Sequence, residues 1–197
     1  MDAKAFKSLL PLVMLCGSPM MGQIPTKSAS SQQQFLENNF RDAIYKLEES
    51  KTANQRILAL SEVAKYAAMN GNMEDAGKYC EEFTMLAAKQ SDGSIPWDSI
   101  HDIYIARGHV ALSKKNMNEA KEMLMRAGNV QGSPRLRTFG PNMGLAKALL
   151  EAGEWDAVLE YIDQCRKFWT MGSVQLENWS NSLKRKEIPD FHGNLFY

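Results

Sequence analysis

The stretch "LAKALLEAGEWDAVLEYIDQCRKF" (145–168) decides the fold. Ala146 and Leu149 fall three apart on one helical face, and Gly153 then interrupts the pattern. Trp155, Val158 and Ile162 resume it at steps of three and four, the spacing of a second amphipathic helix. Glycine takes the left-handed conformation that ends a helix at little steric cost, so two helices joined by a tight turn are expected here.

The same grammar recurs upstream. "NNFRDAIYKL" (38–47), "GNMEDAGKYC" (71–80), "KNMNEAKEML" (115–124) and "GEWDAVLEYI" (153–162) each place an aromatic or Met ahead of a small residue. The gap-fillers are Phe40, Met73, Met117 and Trp155, and the small positions are Ala43, Ala76, Ala120 and Val158. Leu47, Cys80, Leu124 and Ile162 follow four residues later. A small residue lets paired helices approach closely while the larger neighbour fills the adjoining gap. Asn72 and Asn116 are candidate N-caps, with Asp75 and Glu119 near the positive helix end.

A partner helix precedes three of these segments: 57–70, 101–116 and 139–152. Its small residues Ala64, Gly108 and Ala146 each lie seven before the turn positions 71, 115 and 153. The small positions 43, 76, 120 and 158 recur at intervals of 33, 44 and 38 residues, the first near one plain helix-turn-helix unit and the later ones needing longer connections, so the chain reads as an all-α repeat.

This arrangement resembles the tetratricopeptide repeat: a small residue in the first helix, then Gly-acidic-aromatic, then a small residue early in the second. The resemblance covers about 35–169. It implies a right-handed solenoid of about three helix-turn-helix units, with a leading half-unit (35–50) and a capping helix at 170–197. "VAKYAAMNGNMEDAGKYCEEF" (63–83) follows the pattern well, whereas "RGHVALSKKNMNEAKEMLMRA" (107–127) has Lys115 for the turn glycine. In the capping segment Leu176, Trp179 and Leu183 form a one-sided apolar stripe, and the aromatic tail beyond Pro189 is expected to lie back on the helices.

The ends carry different signals. Lys4 and Lys7 precede an apolar run from Leu9 to Cys16 and then Gly17 and Ser18, the order of an export signal over 1–22. The expected location is therefore exported, periplasmic or envelope-associated, or cytoplasmic if the N-terminus is not cleaved. Membrane attachment is expected only through lipidation of Cys16. The polar "QIPTKSASSQQQ" (23–34) reads as a flexible linker.

Lys+Arg and Asp+Glu are equal at 23 each, so no bulk basic field recommends nucleic acid as a partner. Cys80 and Cys165 fall at apolar-face positions two units apart, which places them beyond bridging distance. His101 and His109, eight apart on one helix, lie about 80° apart around it, poor spacing for a metal. The 12 methionines suit core filling. No cofactor motif occurs, and no nucleophile stands beside a base, so catalysis is not expected.

In repeats that this chain resembles, the first helices line a concave face. One residue beyond each first-helix small position stand Lys65, His109 and Lys147, a basic ladder suited to an acidic peptide or a free carboxylate. Ser61 and Met143 occupy further gripping positions on the same helices. The expected function is a protein- or peptide-binding scaffold. The alternative is an auxiliary subunit or small-molecule binder, with its pocket between the helices and the tail residues Trp179, Phe191, Phe196 and Tyr197.

Overall fold

In the computed structural model, residues 27–90 and 95–196 are described. The signal segment 1–22, Cys16 and Tyr197 lie outside them. Among the described residues the regular structure is all helix, without a strand. The helices are α1 Lys27–Glu48, α2 Ala53–Met69, α3 Met73–Ala87, α4 Trp97–Ser113, α5 Met117–Gly128, α6 Pro134–Phe139, α7 Gly144–Glu151, α8 Trp155–Cys165 and α9 Ser173–Lys184.

Three hairpins, α2–α3, α4–α5 and α7–α8, are joined by turns of one construction. At the first, the Gly71 N–H donates to the Ala68 carbonyl and the Asn72 N–H to the Ala67 carbonyl. Lys115 and Asn116 repeat these bonds to Leu112 and Ala111, and Gly153 and Glu154 to Leu150 and Leu149. Each pair satisfies carbonyls that the helix end would otherwise orphan. The price is a positive φ, 79° at Gly71 and 88° at Gly153, and Lys115 accepts 60° in the same role. Asn72 and Asn116 then cap the next helix, their side chains accepting from the Asp75 and Glu119 N–H groups.

The small positions are close approaches. Ala43, Ala76, Ala120 and Val158 are buried, as are Ala64 and Ala146. A Cβ added at Gly108 would meet a Leu145 methyl at 2.1 Å, so α7 sits directly on α4 there. α2 packs on α4, and α4 on α7.

Two hydrophobic clusters result. The first joins Leu47 of α1, the alanines of α2, and Cys80 and Phe83 of α3. The second is rich in large rings: Tyr161, Phe168, Trp169, Trp179 and Phe191. Leu176, Trp179 and Leu183 are buried, and Phe191 packs edge-on against Trp179 with ring centroids 5.1 Å apart. The tail does lie back on the helices. Cys80 and Cys165 are free and fall in different clusters.

Three expectations are corrected. α1 begins at Lys27, so 27–34 is helix rather than linker; the Gln33 side chain donates to Glu37 one turn on, supporting the extension. The third first-helix begins at Gly144 rather than 139, because 129–143 holds the short helix α6 and an irregular joint. Met85, one of the methionines expected to fill the core, is 64% exposed.

Candidate binding cleft

α2 forms the floor of a cleft of about 360 Å³, walled by α1 on one side and by α4 with Arg135 of α6 on the other. The floor is charged yet enclosed. The Lys65 ammonium donates to Asp102 Oδ2 at 3.0 Å, and the two side chains are 5% and 3% exposed. Arg135 Nη2 donates to the same oxygen at 2.8 Å, and its Nε to Asp98 Oδ2 at 3.1 Å. One carboxylate thus ties α2, α4 and α6 together.

Burial alone would push the Asp102 carboxyl up, but the charges of Lys65 and Arg135 outweigh it and hold it below its ordinary value. Burial likewise opposes the charge on Arg135, and the two aspartates more than restore it. Nearer the rim, Lys46 donates to Glu62 at 2.6 Å. Each of the three cations that line the cleft is therefore already bonded to a carboxylate.

The residues expected to form the basic ladder go to different places. Lys65 and Ser61 line the cleft, while His109, Met143 and Lys147 do not. Lys65 is no exposed rung, because its charge is spent on Asp102. Ser61 is buried, its hydroxyl donating to the Leu58 carbonyl. His109 stands where a Cβ on Gly144 would come within 3.4 Å of its Nε2, and burial drives its pKa down to about 4. It is a neutral packing residue at pH 7. Met143 is fully buried, its backbone N–H donating to the Asn194 carbonyl at 2.7 Å. Lys147 is half exposed and faces Glu151 at 3.9 Å.

Asp102, Asp98 and Arg135 were not anticipated. Asp98 and Asp102 stand four apart in "WDSIHDIYIA" (97–106), which places both on one helical face. Nothing in the sequence indicates that Arg135, 33 residues on, folds back to them.

His101, beside Asp102, serves structure. Its Nδ1 donates to the Ala127 carbonyl at 3.0 Å, and its Nε2 accepts the Asn142 N–H at 3.1 Å. The Tyr161 hydroxyl donates to the Asn142 carbonyl at 3.0 Å. Both ring nitrogens are committed, and burial lowers the imidazole pKa. Among the described residues no group of three or more His, Cys, Asp or Glu could hold a metal ion. Cys80 is buried, and burial pushes its thiol up to about 12, far from a reactive thiolate.

A second recess of about 370 Å³ lies between α1 and the tail, lined by Phe35, Phe196 and Gly193. The Phe35 and Phe196 rings meet edge to face at 6.2 Å. Of the tail aromatics expected to form a pocket, Phe196 alone among the described residues lines it; Trp179 and Phe191 are core residues. Among the described residues no helix is long and apolar enough to cross a membrane. The chain matches no family model, no curated protein and no solved structure.

Proposed function

We propose that this chain is a non-catalytic binding module of the tetratricopeptide type, a right-handed solenoid that receives a segment of a partner protein in the cleft over α2. The three identically bonded turns at 71, 115 and 153 support the repeat reading. The observation that carries the binding reading is the cleft, where a buried Lys65–Asp102 pair, extended by Arg135 at the wall, lies under an opening. Burying Lys65 against a carboxylate, with the partly exposed Arg135 on the same oxygen, is a poor route to stability, since well-packed apolar side chains often do as well. Its retention beneath a cleft suits a recognition surface. The N-terminal charge and apolar pattern supports an exported or envelope-associated protein, and sequencing of the mature N-terminus tests this: an intact Met1 contradicts it.

The test of the binding reading uses the exposed cleft wall, which can change without disturbing the fold. Asn39→Arg/Asp42→Arg on α1 fills the opening with two long side chains. Cross-linking in the cells that make the protein, followed by mass spectrometry, should recover one stoichiometric partner with the native chain and lose it with this variant. Full retention of the partner contradicts the cleft reading.

The recess between Phe35 and Phe196 supports a second reading, an apolar small molecule held against the tail. Phe35→Ala/Phe196→Ala would abolish such binding and leave partner recovery unchanged.

A further inference from the structure

The cleft continues along α1. A second depression, of about 400 Å³, lies between α1 and α2, and Lys46, Leu58 and Glu62 line both it and the cleft. Three cations line this combined groove, and a carboxylate of the groove already holds each of them. Lys46 is on Glu62, Lys65 on Asp102, and Arg135 on Asp98 and Asp102. The two charges left over are Asp42, on the cleft wall, and Glu49, in the second depression. Both are exposed, and among the described residues neither is in an ion pair. The field of Asp42 reaches Lys46, but the bond that Lys46 makes is to Glu62.

The two carboxylates are placed in order. Asp42, Tyr45 and Glu49 follow at steps of three and four, which makes them one stripe along α1. Asp42 and Glu49 stand two turns apart, about 10 Å along the helix axis. Between them the groove offers apolar surface to water, with Tyr45 64% exposed and Leu58 of α2 42% exposed. The accessible chemistry is thus acidic, apolar, acidic.

We infer that the partner segment seated here is basic, an extended stretch in which two Lys or Arg residues flank an apolar one. The cations meet Asp42 and Glu49, and the apolar side chain covers Tyr45 and Leu58. In an extended chain residues one, three and five share a face, and the outer two lie about 13 Å apart. Long cationic side chains bend inward from that span onto carboxylates about 10 Å apart. Such a segment forms its ion pairs at exposed groups and leaves the enclosed Lys65–Asp102 pair as it is. An acidic segment would meet two unpaired carboxylates and find each lining cation engaged. The inference deepens the cleft reading and rests on it.

The isotope-labelled full chain is titrated with three capped pentapeptides, RALAR, QALAQ and EALAE, while backbone amide shifts are followed by NMR. RALAR should shift Asp42, Tyr45, Glu49 and Leu58 saturably, with a Kd about five-fold or more below that of QALAQ, the order of two exposed ion pairs. Asp42→Asn/Glu49→Gln changes two exposed side chains and should raise the RALAR Kd to that of QALAQ. Glu81→Gln/Glu160→Gln removes the same net charge at exposed positions outside the groove and should leave that Kd unchanged. Equal weakening by both variants means that the peptide reads net charge alone, and overturns the assignment. So does QALAQ or EALAE binding as tightly as RALAR, or no saturable shift with RALAR. The Asn39→Arg/Asp42→Arg cross-linking then decides separately: loss of the partner keeps the cleft as its site with a segment of other chemistry, and full retention removes the site as well.

Discussion

Asp102 and His101 are neighbours on α4, and they brace two different regions in opposite ways. Asp102 faces the cleft and holds α2 and α6 by charge. His101 faces the end of α5 and the stretch just before α7, and holds them by neutral hydrogen bonds to Ala127 and Asn142. The imidazole is completely enclosed, and burial drives it to its uncharged form. The carboxylate is almost as deeply buried yet stays charged, because two cations come with it, one of them 31% exposed at the cleft wall. The deeply buried carboxylate thus stays charged only where a cation reaches it from the cleft wall, whereas the equally enclosed imidazole is held by neutral bonds alone.

The largest expected effect tests the charged side. Asp102→Asn leaves Lys65 and Arg135 without the carboxylate they share, and should lower the unfolding free energy by about 3–5 kcal/mol in urea titrations. A loss near zero would mean that water already compensates these cations. On the neutral side, His101→Phe keeps the ring but strands the Asn142 N–H and the Ala127 carbonyl. The expected cost is about 2 kcal/mol, two bonds' worth of unmet polar groups.

Acid should separate the two braces. His101 has a folded pKa below 6.5, so the folded state binds this proton less tightly than the unfolded chain. Its contribution is complete above pH 6.5 and is lost as pH falls below that value. His109, held down to about 4, adds to the loss across the same window. Asp102 is depressed from 3.8, so its contribution is complete above pH 3.8 and is lost only further down. Hydrogen exchange between pH 7 and 4.5 should therefore show Asn142 and its neighbours losing protection while Ser61 and Lys65 keep theirs. Simultaneous loss in both regions would erase the distinction.

The smallest effect lies in the turns. Lys115 holds a φ of 60° where the other two hairpins use glycine. Lys115→Gly should therefore stabilise by about 1 kcal/mol, the order of the left-handed penalty for a residue with a Cβ. Thermal denaturation reads this as a rise in Tm.

The sequence made the hairpins legible because their punctuation is local. Gly71 and Gly153 mark left-handed turns, and Ala64, Gly108 and Ala146 mark close approaches, all within one helical turn or two. Even Lys115 was placed correctly, since the turn's two backbone bonds require a conformation rather than a glycine. The cleft was legible only in part. Lys65 and Ser61 were singled out on α2, but as exposed gripping residues, because a lysine one position from an apolar face ordinarily reaches water. Its burial depends on Asp102, 37 residues away, and on Arg135 in α6. No local pattern encodes contacts of that range. The late start of α7 has a local signal that the helical reading of 139–152 passed over: "FGPNM" (139–143) carries Gly140, at a φ of 87°, and Pro141, and the stretch is further held irregular by His101, Tyr161 and Asn194 from elsewhere in the chain.

The central claim is that the cleft over α2 is where this module meets its partner. A photo-reactive amino acid at position 39, on the cleft wall, compared with one at position 174, exposed on α9, tests it most directly in cells that make the protein. The account predicts a single stoichiometric adduct from position 39 and none from 174. An adduct from 174 alone would contradict it.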